Sequence, residues 1–322
     1  MNPGREFRRL LRNNDYIFTT GIYSPIQAKI AGMIGLKAVV TSGYSASLGY
    51  LGTADLGFIG MAEMATMAKY VAAATDIPVI SDADDGYGNA LVAMRTVREF
   101  ESAGVAGIHV EDQKGPKRCG HMAGKYVVPL GEAVGKIKAM VRAKQDPDFV
   151  IIARTDARGA VGGSLAKAIE RGLAYAAAGA DMLFCEFISP DTLGEFRDFA
   201  EAIHKEYPEI PLMYNYSSSF NWGASKNKLT FKQIADMGYK FIVVSLGGIH
   251  AEMLSVWNFM DELKRTEEGA QFSLESKLAG HPTEDHHKMG DFGRFQRLEE
   301  EFLPPEFVKE RYSKSEGYGK TD

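Results

Sequence analysis

Eight short runs of consecutive apolar residues punctuate the chain, at Tyr16–Thr20, Ala38–Ser42, Pro78–Asp82, Gly107–Glu111, Val150–Thr155, Asp181–Glu186, Pro211–Asn215 and Phe241–Ser245. Because apolar residues stand at successive rather than alternate positions, the runs predict strands covered on both faces, as in a parallel sheet. Between them, Met61–Ala74, Leu91–Ala103, Ala133–Lys144, Leu165–Ala178 and Thr192–His204 read as helices. Glycine at the end of Ala176-Ala177-Ala178-Gly179 suits a short return to the sheet. Strand followed by helix, eight times over, is the pattern of an α/β fold of the (β/α)8 TIM-barrel type. A doubly wound sheet is the rival, but no G-x-G-x-x-G follows the first strand and the units number eight rather than six.

The apolar runs end in reactive groups: Ser42-Gly43-Tyr44, then Asp82 and Asp84, Glu111 and Asp112, Arg154 and Asp156, Glu186, Asn215 and Ser245. A barrel would bring all of them to its C-terminal mouth, where this architecture carries its chemistry. Any one polar strand end says little, since strand ends meet solvent, but seven in succession point to a site. From about Lys264 the pattern lapses. Residues 1–265 are therefore assigned to the barrel and residues 266–322 to a C-terminal helical extension and tail. His281, His286 and His287 match no standard metal-ligand spacing, and Glu284, Asp285 and Lys288 among them predict a solvated helix. Leu303-Pro304-Pro305 ends that helix, and the polar stretch Tyr312–Asp322 is expected to fray. Met1–Asn14 predicts an opening helix; it has no apolar core of the secretory kind, and only its arginines hint at a transit peptide.

Composition narrows the partners more than the fold. A length of 322 residues accommodates one barrel of about 250 residues and an appendage. The formal net charge of −5 gives no electrostatic case for nucleic acid or an anionic membrane, and no apolar run is long enough to span a bilayer. Two cysteines, Cys119 and Cys185, make no disulfide framework, so a reducing cytoplasm is the expected location.

The chemistry concentrates in a few stretches. Lys117-Arg118-Cys119-Gly120-His121 crowds three potential cations around one thiol, which predicts a depressed pKa and a thiolate near neutrality; Gly120 would let a ligand approach the backbone closely. Ser81-Asp82-Ala83-Asp84-Asp85-Gly86 sets carboxylates at i and i+2 beside a strand end, an arrangement suited to Mg²⁺, with Mn²⁺ as a substitute. Glu111 supplies a neighbouring carboxylate and Asp55 a partner acting through water; an Asx-type turn is the plain alternative. Arg154 offers a planar fork for a carboxylate, and Asn215-Tyr216-Ser217-Ser218-Ser219 offers an amide and hydroxyls. The set suits a small polycarboxylate whose C–C bond breaks beside a carboxylate, with the enolate-like charge stabilised by metal. Ser245-Leu246-Gly247-Gly248, where barrels often cradle phosphate, keeps open a non-catalytic metabolite-binding barrel.

Lys117-Arg118-Cys119-Gly120-His121-Met122, with Gly124-Lys125 following, resembles the isocitrate lyase signature. Asn215-Tyr216-Ser217-Ser218-Ser219-Phe220-Asn221-Trp222 resembles the serine loop of that family, and Ser42-Gly43-Tyr44 its Ser-Gly-aromatic turn. The D-A-D, V-E-D-Q and A-R-T-D segments are shared across the isocitrate lyase and phosphoenolpyruvate mutase superfamily. The likeness runs from about the second strand to His286–Phe295. Two-methylisocitrate lyases share K-R-C-G-H but not S-x-S-F-N-W, which favours isocitrate.

The resemblance implies reversible cleavage of isocitrate to glyoxylate and succinate, the entry to the glyoxylate bypass. Cys119 would give its proton to the succinate-like carbanion. Gly120, His121, Asn215, Ser217, Ser219 and Ser245 would bind the succinate half, and Ser42, Gly43, Tyr44 and Arg154 the glyoxylate half beside Mg²⁺. Asp82 would be the direct metal ligand, Asp84, Glu111 and Asp55 would act through water, and Glu186 would support catalysis as a hydrogen-bonding partner. The family also implies a homotetramer whose C-terminal helices are exchanged between subunits. Three positions depart from its pattern: Val40 stands where many members carry a tyrosine proposed as base, Tyr44 where tryptophan is usual, and Ser245 where threonine is usual. The chain is also shorter than typical isocitrate lyases and lacks their inserted helical region. These departures leave the base unnamed and admit 2-methylisocitrate or another 2-hydroxy polycarboxylate as substrate.

Overall fold

A computed structural model describes residues 2–318 apart from Asp191, Asn227 and Ser315. Eight parallel strands, β1 (Ile17–Ile22), β2 (Val39–Thr41), β3 (Val79–Asp82), β4 (Gly107–Glu111), β5 (Val150–Thr155), β6 (Met182–Cys185), β7 (Leu212–Asn215) and β8 (Tyr239–Val244), close into a barrel in chain order. The seam is β1 against β8, from Ile17 opposite Phe241 to Thr20 opposite Val244. Every residue of β3, β4, β5 and β6 is buried, which is why their sequences are apolar without alternation. β1 starts one residue later than expected and runs on through Gly21 and Ile22, which pair with Val40 and Thr41 of β2.

Two apolar layers follow. Ile17, Val40, Ile80, Ile152, Phe184, Met213, Phe241 and Val243 fill the barrel, and its floor is closed by Phe7, Leu10 and Leu11 of the opening helix Pro3–Asn13. Phe7 meets Phe241 edge-on at 5.1 Å. That helix begins where expected, with Pro3 in its first turn and the Asn2 side chain accepting the Arg5 N–H, a cap that satisfies one otherwise orphaned donor. The second layer, between strands and surrounding helices, is built from residues such as Val97, Phe100, Met140, Phe196 and Phe199. After β2 the chain makes the short helix Gly43–Ala46, capped by Ser42 Oγ on the Ser45 N–H, and passes directly into a π-helical turn, Ser47–Leu51.

The chain divides into two compact units, Met1–Glu252 and Met253–Asp322. The second contains helices Glu268–Leu278, His286–Met289, Phe292–Phe302 and Pro305–Ser313, with no strand among its described residues. The His281 ring bonds Thr283, and the His286 and His287 rings lie tilted against each other at 4.1 Å. Of the stretch expected to fray, Tyr312 and Ser313 instead close the last helix, with the Tyr312 hydroxyl on Glu299; residues 315 and 319–322 lie outside the described residues. No helix among the described residues is long and apolar enough to cross a membrane.

Candidate active site

Ser42 follows β2, Asp82 closes β3, Glu111 closes β4, Arg154 lies one residue from the end of β5, Glu186 follows β6, Asn215 closes β7 and Ser245 follows β8. All seven line one pocket at the barrel mouth, together with Tyr44, Asp55, Cys119, Gly120, His121, Ser217 and Ser219; its volume is about 680 Å³ counted out to the opening. Gly43 and Asp84 stand immediately behind. The Gly43 N–H donates to Asp82 Oδ2 at 3.1 Å, and a Cβ on Gly43 would lie 3.0 Å from that oxygen and 3.3 Å from Asp84 Oδ1. Glycine is what allows the β2 turn to approach the acidic pair so closely.

The acidic wall comes from β3 and β4. Asp82 Oδ1 accepts the Asp84 N–H at 3.0 Å, so the Asx-type turn is present, and Asp84 takes a positive φ of 47°. That conformation suits Asp better than most residues and turns its carboxylate onto Lys117, whose Nζ lies 2.6 Å from Asp84 Oδ1 and 2.7 Å from Asp55 Oδ1. His109 Nδ1 sits 3.6 Å from Asp82 Oδ1. Burial opposes ionisation of Asp82, but His109, Lys117 and Arg154 hold its carboxyl below the ordinary value. For Asp84 burial prevails over Lys117, and with Asp82 and Asp55 adding negative charge its pKa rises to about 7. Burial likewise drives Glu111 well up despite Arg154.

Around and behind the pocket, seven buried carboxyl groups (Asp55, Asp82, Asp84, Glu111, Asp112, Asp156 and Glu186) face five buried cations (Lys117, Lys125, Lys136, Arg154 and Arg171) among the described residues. Glu111 Oε1 is buried with no hydrogen-bond partner among them. No three His, Cys, Asp or Glu side chains among the described residues gather closely enough to hold a metal by themselves. Mg²⁺ does not need that, since one or two carboxylates, waters and substrate oxygens suffice. An excess of buried negative charge with an unused carboxylate oxygen fits such an ion.

The opposite wall is organised on Arg154. Its Nε and Nη2 hold Asp156 at 2.9 and 3.2 Å, and Nη2 also reaches Glu111 at 3.2 Å and Glu186 at 3.1 Å. The fork expected to face a ligand is thus largely engaged by carboxylates, with Phe184 5.0 Å beneath it. Glu186 also accepts from Asn215 Nδ2 at 3.0 Å and lies 3.5 Å from His121 Nε2. Ser217 Oγ is 3.5 Å from His121 Nδ1 and caps the Ser219 N–H at 3.1 Å, while Ser218 Oγ donates to the Ser245 carbonyl at 2.9 Å. Tyr216 stacked on Trp222 at 4.1 Å braces the loop. The Gly248 N–H, one of the donors a phosphate would use, donates instead to Thr20 Oγ1 at 3.1 Å.

The expectation of an acidified thiol is overturned. Lys117 turns to Asp55 and Asp84, Arg118 is exposed, and burial lowers the His121 pKa, so that ring is neutral near pH 7. Burial, with Glu186 and Asp55 acting in the same direction, pushes Cys119 up to about 11. The sulfur is a thiol. Gly120, expected to admit a ligand, also admits the Arg154–Glu186 pair: a Cβ there would fall 2.4 Å from Arg154 Nη2 and 2.7 Å from Glu186 Oε2. His109, Gln113 and Asp156 went unassigned in the sequence, as did the bonds of Lys125, because nothing in the spacing tells which buried partner each would find.

Residues 7–263 match the phosphoenolpyruvate phosphomutase family. The chain is 42% identical to an isocitrate lyase of Haloferax volcanii over 314 residues, covering 98% of this chain and 90% of that protein. It is 37% identical to a 2-methylisocitrate lyase of Aeropyrum pernix over 276 residues, 86% of this chain and 84% of that one. A crystal structure of phosphonopyruvate hydrolase in complex with oxalate and Mg²⁺ superposes with a TM-score of 0.80 at 26% identity, over 94% of this chain and all (100%) of the other. With strand-end residues converging as they do, the chain belongs to the phosphoenolpyruvate mutase/isocitrate lyase superfamily, as one of its lyases.

Proposed function

We propose that this lyase cleaves isocitrate reversibly to glyoxylate and succinate in a Mg²⁺-dependent reaction, as in the glyoxylate bypass. The observation that carries the reading is the place of Cys119, its thiol pushed up by desolvation, in the same pocket as an acid-rich wall on one side and the Arg154–Glu186–Asn215 wall on the other. In the cleavage direction the substrate hydroxyl passes its proton to a basic group of the pocket, a carbonyl forms, and the electrons of the breaking C–C bond move to the carbon beside the succinate carboxylate. Cys119 Sγ–H delivers its proton to that carbon. A donor must hold its proton until the carbanion forms, and partial burial of the thiol favours that.

Asp82 would hold Mg²⁺, with Asp84, Glu111 and Asp55 acting through water, and Mn²⁺ suits the same oxygens. When bound, the ion supplies positive charge that offsets the oxygens of a 2-hydroxy acid. Ser42, Gly43, Tyr44 and Arg154 hold the glyoxylate half; Gly120, His121, Asn215, Ser217, Ser219 and Ser245 hold the succinate half, with Glu186 fixing Asn215 and Arg154. A cytoplasmic homotetramer exchanging C-terminal helices accompanies this reading. Its support is two unpaired cysteines and the exposed Leu254, Trp257 and Met260, three residues apart on helix Gly247–Thr266.

The alternative substrate is 2-methylisocitrate, favoured by the apolar Val40, Met213 and Val243 in the pocket lining. Purified protein with Mg²⁺ is expected to form glyoxylate from isocitrate and to prefer it over 2-methylisocitrate by about tenfold or more in kcat/KM, the scale on which one methyl group is discriminated. The reverse preference would move the assignment, and no glyoxylate from isocitrate would end it.

A further inference from the structure

Asp112 directly follows Glu111 at the end of β4, yet it lines no part of the mouth pocket and meets helix Leu165–Ala177 instead. It is buried and gathers four donors. Oδ2 accepts the Thr155 hydroxyl at 2.7 Å, the Tyr175 hydroxyl at 2.7 Å and Arg171 Nη1 at 3.0 Å, and Oδ1 accepts the Asp156 N–H at 2.9 Å. Arg171 and Tyr175 stand four residues apart on that helix and so share a face. The other arm of the Arg171 fork, Nη2, donates to the Val128 carbonyl at 2.6 Å, and the Val128 N–H donates to the Asp112 carbonyl at 2.9 Å.

These bonds reach the pocket by one short route. Thr155 is the last residue of β5 and Asp156 follows it. Asp156 holds Arg154 through Nε and Nη2, and the Thr155 carbonyl accepts the N–H of Glu186, which meets the same guanidinium at 3.1 Å. The two β5 residues gripped by Asp112 therefore carry the groups on which Arg154 is set. A buried carboxylate keeps such an arrangement only while its counter-charge is present, because an unpaired charge out of water is costly. Arg171 supplies that charge, and its planar fork serves Asp112 and the Val128 carbonyl together. It takes hold of the chain at Asp112 and Val128, on either side of the stretch bearing Cys119. Its effect thus falls on the strand ends, wherever that stretch stands.

We propose that Arg171 is a positioning residue for Arg154, acting through Asp112 and the Thr155–Asp156 turn to aim the guanidinium at the glyoxylate half. This rests on the role given above to Arg154. Arg171→Met keeps a long apolar stem and removes the fork. In the condensation direction with Mg²⁺, that variant should show a KM for glyoxylate raised about tenfold, with the KM for succinate within about threefold, as for loss of one set of binding contacts. Arg171→Lys returns the charge and should recover most of the loss. A merely structural role would leave both KM values in place or move them together; either result overturns the proposal. Should Arg171→Met not fold, Tyr175→Phe removes one donor from Asp112 without changing charge, and should raise the glyoxylate KM alone, by about threefold. No such rise overturns the proposal. Crystals of either variant need no substrate: Arg154 should stand displaced by about 1 Å or more, a shift that matters to a bound reactant, and an unmoved Arg154 would sink the idea. A wild-type protein inert on glyoxylate and succinate would remove the proposed reaction and leave that displacement to decide.

Discussion

At the N-terminal face of the barrel, Arg8 meets Asp181 at 2.6 Å and donates to the carbonyls of Asp148 and Phe149, Lys144 meets the same Asp181 at 3.1 Å, and Arg5 meets Asp148 at 2.9 Å. Each of those cations meets a carboxylate, two of them the same one, and all remain within reach of water. Around the mouth, seven buried carboxyl groups share five buried cations, and Glu111 Oε1, His109 Nδ1 and His121 Nε2 find no hydrogen-bond partner among the described residues. The first arrangement is what stability alone selects. The second opposes stability, since burying unbalanced charge costs free energy, and it persists because the closed barrel holds it. A buried surplus of negative charge at one end of a scaffold whose charges at the other end stay within reach of water is a physical mark of a site.

The sharpest test of that contrast is at the sulfur. Cys119→Ser is expected to lower turnover by about a thousandfold, in the range set by loss of a general acid, while binding of a succinate analogue changes little by calorimetry. Unchanged turnover would remove the thiol from the reaction. Next in size is the surplus charge. Protein stripped with EDTA should lose about a hundredfold in kcat and recover it with Mg²⁺. Mg²⁺ should also raise Tm without substrate, because it relieves repulsion that exists in the folded state and not in the unfolded chain; no rise in Tm would argue that the carboxylates hold no ion.

Much of this contrast was legible in the sequence, and the illegible part has a physical cause. Burial on both faces writes itself as consecutive apolar residues, so all eight strands could be placed, and the polar residue ending each run followed from the barrel geometry. Side-chain partnerships are not written that way. Lys117 is two residues from Cys119, yet its ammonium reaches Asp55 and Asp84. The thiol answers to its burial and not to its sequence neighbours. Asp82-Ala83-Asp84 was legible both as a site and as an Asx turn, and the structure makes it a turn whose carboxylates line or back the pocket. Lys125 was visible only as part of a motif, because nothing in the sequence shows that its charge is buried.

Acid titration separates the two ends more finely. Asp84, with its pKa raised to about 7 from an ordinary 3.8, binds its proton more tightly in the folded than in the unfolded state. A raised carboxyl makes the folded state lose ground as pH rises from about 4 to 7, because there the native protein holds the extra proton. The metal-free protein should therefore be less stable at pH 7 than at pH 5, by about 2 kcal/mol, and Asp84→Asn should flatten that slope. Chemical denaturation at the two pH values reads it. Equal slopes in wild type and Asp84→Asn would mean that Lys117 neutralises Asp84 in full.

The smallest effect is expected at the floor. Arg8→Ala removes a side chain that bonds Asp181 and two carbonyls, all near the start of β5 and β6. The Arg8 side chain is 25% exposed and that of Asp181 16%, so water can take over part of what is lost. The expected loss is about 1 kcal/mol of unfolding free energy, with kcat and KM unchanged, because no buried charge at the mouth is left without its partner. A loss of several kcal/mol would show that the floor carries a charge as critical as those above it. A changed kcat would show that the helix closing the floor bears on where the strand ends stand, and the separation of a stabilising end from a reactive one would then fail.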